Sequence, residues 1–224
     1  MASTSVLSLG TRKDAGYWSD TCASELGYTS THKITKAVPN LKEVKDVFAA
    51  TDDWLFLGGH FTHASHLYNE AGTVTIRFKA DSVEVDHPDG SGIALKKGAG
   101  FKQNTRIKVL FWGGCDVHSD AATVTTLRTL FDSPLMIGWR GTTGWEVLYS
   151  VMGGFGNAAP HSAKDFFSRV AANPSNAEAV RKAWMETAAD TTWGAATPPF
   201  ESRFSVIMPD GQEHRLPGRE AVIS

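Results

Sequence analysis

Two short runs constrain this chain more than any other feature. Trp54-Leu55-Phe56-Leu57 and Val109-Leu110-Phe111-Trp112 are both continuously apolar. Each runs into Gly-Gly and then one chemically active side chain, His60 in the first and Cys115 in the second. A run with no polar face is buried on both sides, which at this length means an interior strand of a covered sheet. A third apolar run, Pro134 to Trp139, ends at Arg140-Gly141.

The segments between these runs read as helices and turns. Asn40 is an N-cap for a helix carrying Leu41, Val44, Val47 and Phe48 on one face. Ala121 to Phe131 places Val124, Leu127 and Leu130 at helical spacing, and two more helices are expected over Ser162–Ala171 and Asn176–Ala189. From Gly72 to Lys97 the pattern alternates, with Val74, Ile76 and Phe78, then Val83 and Val85, and a turn at Pro88-Asp89-Gly90. That predicts one or two hairpins rather than a second domain. Phe204 to Leu216 reads as a closing hairpin around Pro209-Asp210-Gly211. The Ser-, Thr- and Gly-rich start, Ala2 to Thr31, yields only a short strand at Ser5–Leu9, and residues 1–39 are taken as part of the same domain as 40–224. Buried strands separated by helices predict a mostly parallel sheet covered on both faces, with ligands at the carboxyl ends of its strands.

A chain of 224 residues with 42% hydrophobic and 21% charged residues is expected to fold around a substantial core. Its net charge of -2 supplies no basic face for nucleic acid or a membrane surface. The two cysteines, Cys22 and Cys115, make no disulfide framework and are expected to be thiols in a reducing compartment. Met1–Gly10 has no basic region followed by an apolar core, and no apolar run approaches the ~20 residues that span a bilayer, so a cytoplasmic protein is expected. Gly153-Gly154-Phe155-Gly156 has no Walker lysine or dinucleotide fingerprint around it and reads as a loop near the cleft. Cys22 reads as a small core hydrophobe.

If the two Gly-Gly strands are parallel neighbours, His60 and Cys115 emerge side by side at one sheet edge. A thiol beside an imidazole is a nucleophile with its base. A buried cysteine is more often inert core than catalytic. Two matched placements at strand ends are harder to explain by packing than one.

At this point the chain resembles the clan CD cysteine peptidases, which include caspases, metacaspases, clostripain-like enzymes and the CHAT domain. In that family a His ends one central strand and the Cys ends the next. The caspase separation is about 50 residues. The resemblance spans Asn40 to Ala189 and extends to Met136-Ile137-Gly138-Trp139-Arg140 with Gly144-Trp145, which looks like the caspase strand that lines the substrate cleft. It implies a caspase-like three-layer α-β-α sandwich with added hairpins. It also implies a His60–Cys115 dyad that hydrolyses peptide bonds without a cofactor or metal. Trp139 and Arg140 would contact the peptide, Arg140 either through its backbone or through an acidic P1 side chain. Asp116, Asp120 and Asp132 are the candidates for a pocket that takes a basic P1 instead. Amides at Gly59, Phe61 and Cys115 would form the oxyanion hole, although Phe61 stands where the family usually has Gly. The expected partners are a protein or peptide substrate and a regulatory or activating protein.

Two other readings fit some of the residues. His60, His63 and His66, with Asp116 and His118, could serve a metal-dependent hydrolase, although their spacing matches no known zinc signature. Caspase-like domains can also lose activity and persist as interaction modules.

Overall fold

The computed structural model describes residues 2–10, 14–62, 65–102, 106–113, 117–140, 158–189 and 204–215. Along the chain, β1 (Ser3–Ser8) and α1 (Asp14–Leu26) lead to β2 (Thr29–Thr35), α2 (Leu41–Ala49) and β3 (Trp54–Gly58). Six strands follow: β4 (His60–Thr62), β5 (His66–Tyr68), β6 (Thr75–Phe78), β7 (Ser82–Asp86), β8 (Gly92–Lys97) and β9 (Gly100–Phe101). The chain continues through β10 (Val109–Trp112), α3 (Ala121–Leu130) and β11 (Leu135–Trp139). The last described elements are α4 (Ala158–Val170), α5 (Ala177–Ala189), β12 (Phe204–Ile207) and β13 (Glu213–Arg215).

The fold is mixed α/β. Seven strands form the central sheet in the order β13-β12-β11-β10-β3-β1-β2. The neighbours from β11 to β2 pair parallel, while β12 pairs antiparallel with both β11 and β13. The apolar runs are therefore the middle of the sheet, as their lack of a polar face requires.

Alternation along each strand divides the core in two. Trp54, Phe56, Val109, Phe111, Leu135 and Ile137 face one side, where they meet residues of α1, α4 and α5. That cluster is aromatic: Trp18 stacks on Phe111 at 5.2 Å, and Trp184 lies 5.7 Å from Phe111 and 4.9 Å from Phe204. Leu55, Leu57, Leu110, Trp112 and Met136 face the other side, toward α2, α3 and the strands that follow β3. Burying each large apolar side chain contributes about 1.5–3 kcal/mol, so both faces need cover.

The cover on the second face differs from expectation. The alternating segment forms the two expected hairpins, β6–β7 and β7–β8, but they are the middle of a six-stranded sheet, β4-β5-β6-β7-β8-β9, that starts at His60. Its inner residues, among them Phe61, Leu67, Ile76, Phe78, Val83 and Val85, join the core beneath Leu57 and Trp112. One outer layer is thus helical, and the other combines two helices with a sheet. The short strands β4 and β5 carry too few residues to announce an alternation by themselves.

The N-terminal segment is also more ordered than its composition implies. β1 lies between β3 and β2 and is buried along its whole length, although four of its six side chains are hydroxyls. The Thr4 and Ser5 hydroxyls have side-chain partners. Ser5 donates to Asp52, itself bonded by Thr31 Oγ1 at 2.8 Å, and Thr4 lies 3.4 Å from Ser19 Oγ. Satisfied hydroxyls remove most of the cost of burial. α2 carries the expected cap, with Asn40 Oδ1 accepting from Glu43 N and Glu43 accepting from Asn40 N.

Candidate active site at the carboxyl edge

β3 and β10 are adjacent and parallel, paired Trp54 with Val109 through to Leu57 with Trp112. The ladder extends one step further, because Gly113 N donates to Leu57 O at 2.7 Å. A Cβ on Gly113 would stand 3.4 Å from that oxygen and 3.7 Å from Gly58 Cα, so Gly113 lies against Gly58. Cys115 lies just beyond, outside the described residues.

His60 is two residues past the end of β3, where the chain leaves the central sheet and enters the second one. Gly59 makes that turn with φ +141, which side chains other than glycine rarely adopt. A Cβ there would also stand 3.1 Å from both Tyr68 O and Leu67 Cδ1. We expect Gly59→Ala to lower stability by about 1–3 kcal/mol, read from a urea midpoint. A midpoint equal to that of the wild type would contradict this backbone geometry.

The imidazole of His60 is exposed and stacks on its cross-strand neighbour Tyr68, with centroids 5.5 Å apart and planes 26° apart. Phe61 points the other way, into the core, edge-on to Trp112 at 5.2 Å. His60 is thereby held from both sides: by a stacked ring and by a buried next residue. Sequence reasoning missed Tyr68, since its cross-strand position becomes visible only once the β4–β5 pairing is known.

The other candidate residues divide. Arg140 follows β11 and forms a two-pronged ion pair with Glu213 of β13, with Nε and Nη2 each 2.7 Å from a carboxylate oxygen. Half-burial would raise the Glu213 carboxyl, but the Arg140 fork and the Ser205 hydroxyl outweigh that and hold it below the usual range. Arg140 is therefore already matched to a carboxylate, and a peptide acid would have to displace Glu213. The Trp139 side chain lies outside the described residues.

Of the candidate metal ligands, His118 is buried beneath β11 with Nδ1 2.9 Å from Ser205 Oγ. His66 sits on β5, half-buried, its basicity lowered by that burial and by Arg77, with Asp86 opposing. His63 and Asp116 lie outside the described residues. Among the described residues no three His, Cys, Asp or Glu side chains are grouped to hold a metal. Asp120 caps α3 through the amides of Ala122 and Thr123, and Asp132 pairs with Lys97. The Gly153–Gly156 loop also lies outside the described residues.

A cavity of about 370 Å³ opens at the opposite edge, lined by Ser3, Thr31, Asp52 and Arg106 among others. It lies at the amino ends of the parallel strands, away from the end where such sheets bind ligands. No helix among the described residues is long and apolar enough to cross a membrane.

Comparisons with protein-family models, with curated proteins and with solved structures give no match. What the site can do is therefore argued from its own geometry and from the motifs that carry the resemblance.

Proposed function

We propose that this protein is a cysteine endopeptidase with a caspase-like fold, using Cys115 as nucleophile and His60 as acid and base. The observation that carries this reading is the register of the two central strands. Partners from Trp54–Val109 to Leu57–Trp112 differ by 55 residues in number (109 less 54), and His60 and Cys115 differ by the same 55 (115 less 60). Both residues therefore follow, at equal steps, from the carboxyl ends of adjacent parallel strands, where ligands bind in sheets of this kind.

The chemistry follows from the pair. His60 takes the thiol proton, and the Cys115 thiolate attacks the peptide carbonyl. The tetrahedral intermediate collapses to a thioester as the leaving amine takes a proton from the imidazolium. Water, deprotonated by the same imidazole, then hydrolyses the thioester and restores the thiol. Backbone amides at Gly59, Phe61 and Cys115 are the donors available to the oxyanion. This cycle needs no cofactor. It does need a reduced thiol, which suits a cytoplasmic setting, and a polypeptide substrate; a regulatory or activating protein is a further partner of this reading.

The test is cleavage of a peptide library by the purified protein, untreated, alkylated with iodoacetamide, or incubated with a chelator. Loss on alkylation and resistance to the chelator is the expected result. Loss to the chelator with indifference to alkylation would favour the metal-dependent hydrolase. Absence of any cleavage by a folded protein would favour the interaction module.

A further inference from the structure

His118 lies in the connection from β10 to α3, three residues after Cys115 in the chain. Its side chain is 1% exposed and packs under Gly138 of β11, where an added Cβ would stand 2.9 Å from Nε2. Nδ1 is 2.9 Å from Ser205 Oγ on β12, and Ser205 Oγ is 2.6 Å from Glu213 Oε1 on β13. Glu213 in turn holds the guanidinium of Arg140.

The direction of these bonds is determined by the protons available. A carboxylate only accepts, so the single Ser205 proton points to Glu213. The Ser205 oxygen must then accept from His118, which puts the imidazole proton on Nδ1 and the lone pair on Nε2. That Nε2 atom is buried and has no hydrogen-bond partner among the described residues. A buried polar atom left unpaired in this way calls for a physical reason.

The relay runs along one side of the central sheet at its carboxyl edge. It joins the connection after β10, the end of β11, and both strands of the closing hairpin. We propose that His118 is a positioning residue, a neutral strut that anchors to β11 and β12 the chain that follows Cys115; this rests on the reading of Cys115 as nucleophile.

Protonation would place an N–H at Nε2 with no acceptor and a cation in a dry site. The charged groups facing it are Glu213, which favours the cation, and Arg140, which opposes it. Arg215 lies 3.7 Å from Glu213, and Asp120 on the α3 side is engaged in capping its helix. Burial is the largest influence and pushes the His118 imidazole down from 6.5 to about 3. The folded protein therefore binds fewer protons than the unfolded chain between these two values. Its stability should be flat above the upper one and fall as the pH drops from there toward the lower.

The experiment compares wild type with His118→Asn, His118→Phe and Ser205→Ala. Asn can donate to Ser205 but cannot take a proton in this range; Phe fills the space without donating. Three quantities are read: the rate of Cys115 alkylation by iodoacetamide, kcat and KM for peptide cleavage, and the thermal midpoint against pH. Site-resolved mass spectrometry separates Cys115 from the buried Cys22.

His118→Phe and Ser205→Ala should lower kcat and slow alkylation by roughly ten- to a hundredfold, as displaced reacting groups do, with KM little changed. His118→Asn should recover most of that loss and flatten the fall in midpoint below pH 6.5. Folded His118→Phe or Ser205→Ala protein that alkylates at the wild-type rate overturns the proposal. So does a His118→Asn midpoint with the acid dependence of the wild type. A wild type that cleaves no peptide overturns the peptidase reading alone, because alkylation and the midpoint report on the strut without it.

Discussion

Cys115→Ala is expected to abolish peptide cleavage, lowering kcat/KM by roughly 10⁴-fold or more, and His60→Ala to lower it by about 10²–10⁴-fold. The two losses should not multiply. Once the thiol is gone the imidazole has no nucleophile to serve, so the double variant should resemble Cys115→Ala. This non-additivity is characteristic of groups that act as a unit, and a merely structural histidine would not produce it. Stability offers the control. His60 is exposed and its described contact is the stack on Tyr68, so His60→Ala should leave the melting temperature nearly unchanged, as exposed substitutions generally do. Steady-state cleavage of a peptide found in the library assay, beside a melting curve for each variant, measures both. A His60→Ala protein that cleaves like wild type would remove His60 from the mechanism.

The parts of this fold legible in the sequence are those where one physical demand dominates. β3, β10 and β11 are buried on both faces, and their uninterrupted apolar runs state that directly. The helix end near Asn40 is set by a side-chain oxygen that satisfies a free amide, which the residue type also reveals, whereas the Asp120 cap of α3 emerges only in the structure. Legibility fails where burial is reached through polar side chains. β1 is a central strand written Ser-Thr-Ser-Val-Leu-Ser, and it can be buried because Asp52 and Ser19 meet its hydroxyls from elsewhere in the fold. α1 shows little apolar periodicity, because few of its positions are large and apolar, and Trp18 and Cys22 carry its burial.

The candidate site follows the same division. The matched Gly-Gly endings were readable because the register of β3 and β10 follows from two similar runs. Tyr68 and the Ser205–Glu213 pair were not, because each depends on a strand pairing that brings distant residues together. Arg140 was read as facing a peptide. Its described partner is Glu213, 73 residues away, and no local pattern announces an ion pair across that separation.

The second large effect concerns the aromatic core behind β10. Trp184 of α5 is fully buried and lies within 6 Å of rings from four other elements. They are Trp18 of α1 at 5.9 Å, Phe166 of α4 at 5.3 Å, Phe111 of β10 at 5.7 Å and Phe204 of β12 at 4.9 Å. No single neighbour can move to fill the space its indole would leave, since each is anchored in a different helix or strand. A cavity should therefore persist, and residual cavities add to the transfer energy already lost. Trp184→Ala is expected to destabilise by about 3–5 kcal/mol, and each kcal/mol lowers the melting temperature of a chain this long by about 2–4 °C. Trp184→Phe should recover a large part of that loss, because a ring still reaches Phe111 and Phe204. The urea midpoint should fall while the slope of the transition stays the same, marking lost stability rather than a change in the surface exposed on unfolding. The relay from His118 to Arg140 lies on the other face of the sheet, so at temperatures well below the transition the alkylation rate of Cys115 should stay close to that of the wild type. A Trp184→Ala protein that melts with the wild type would mean that the two helices and β10 do not share this core.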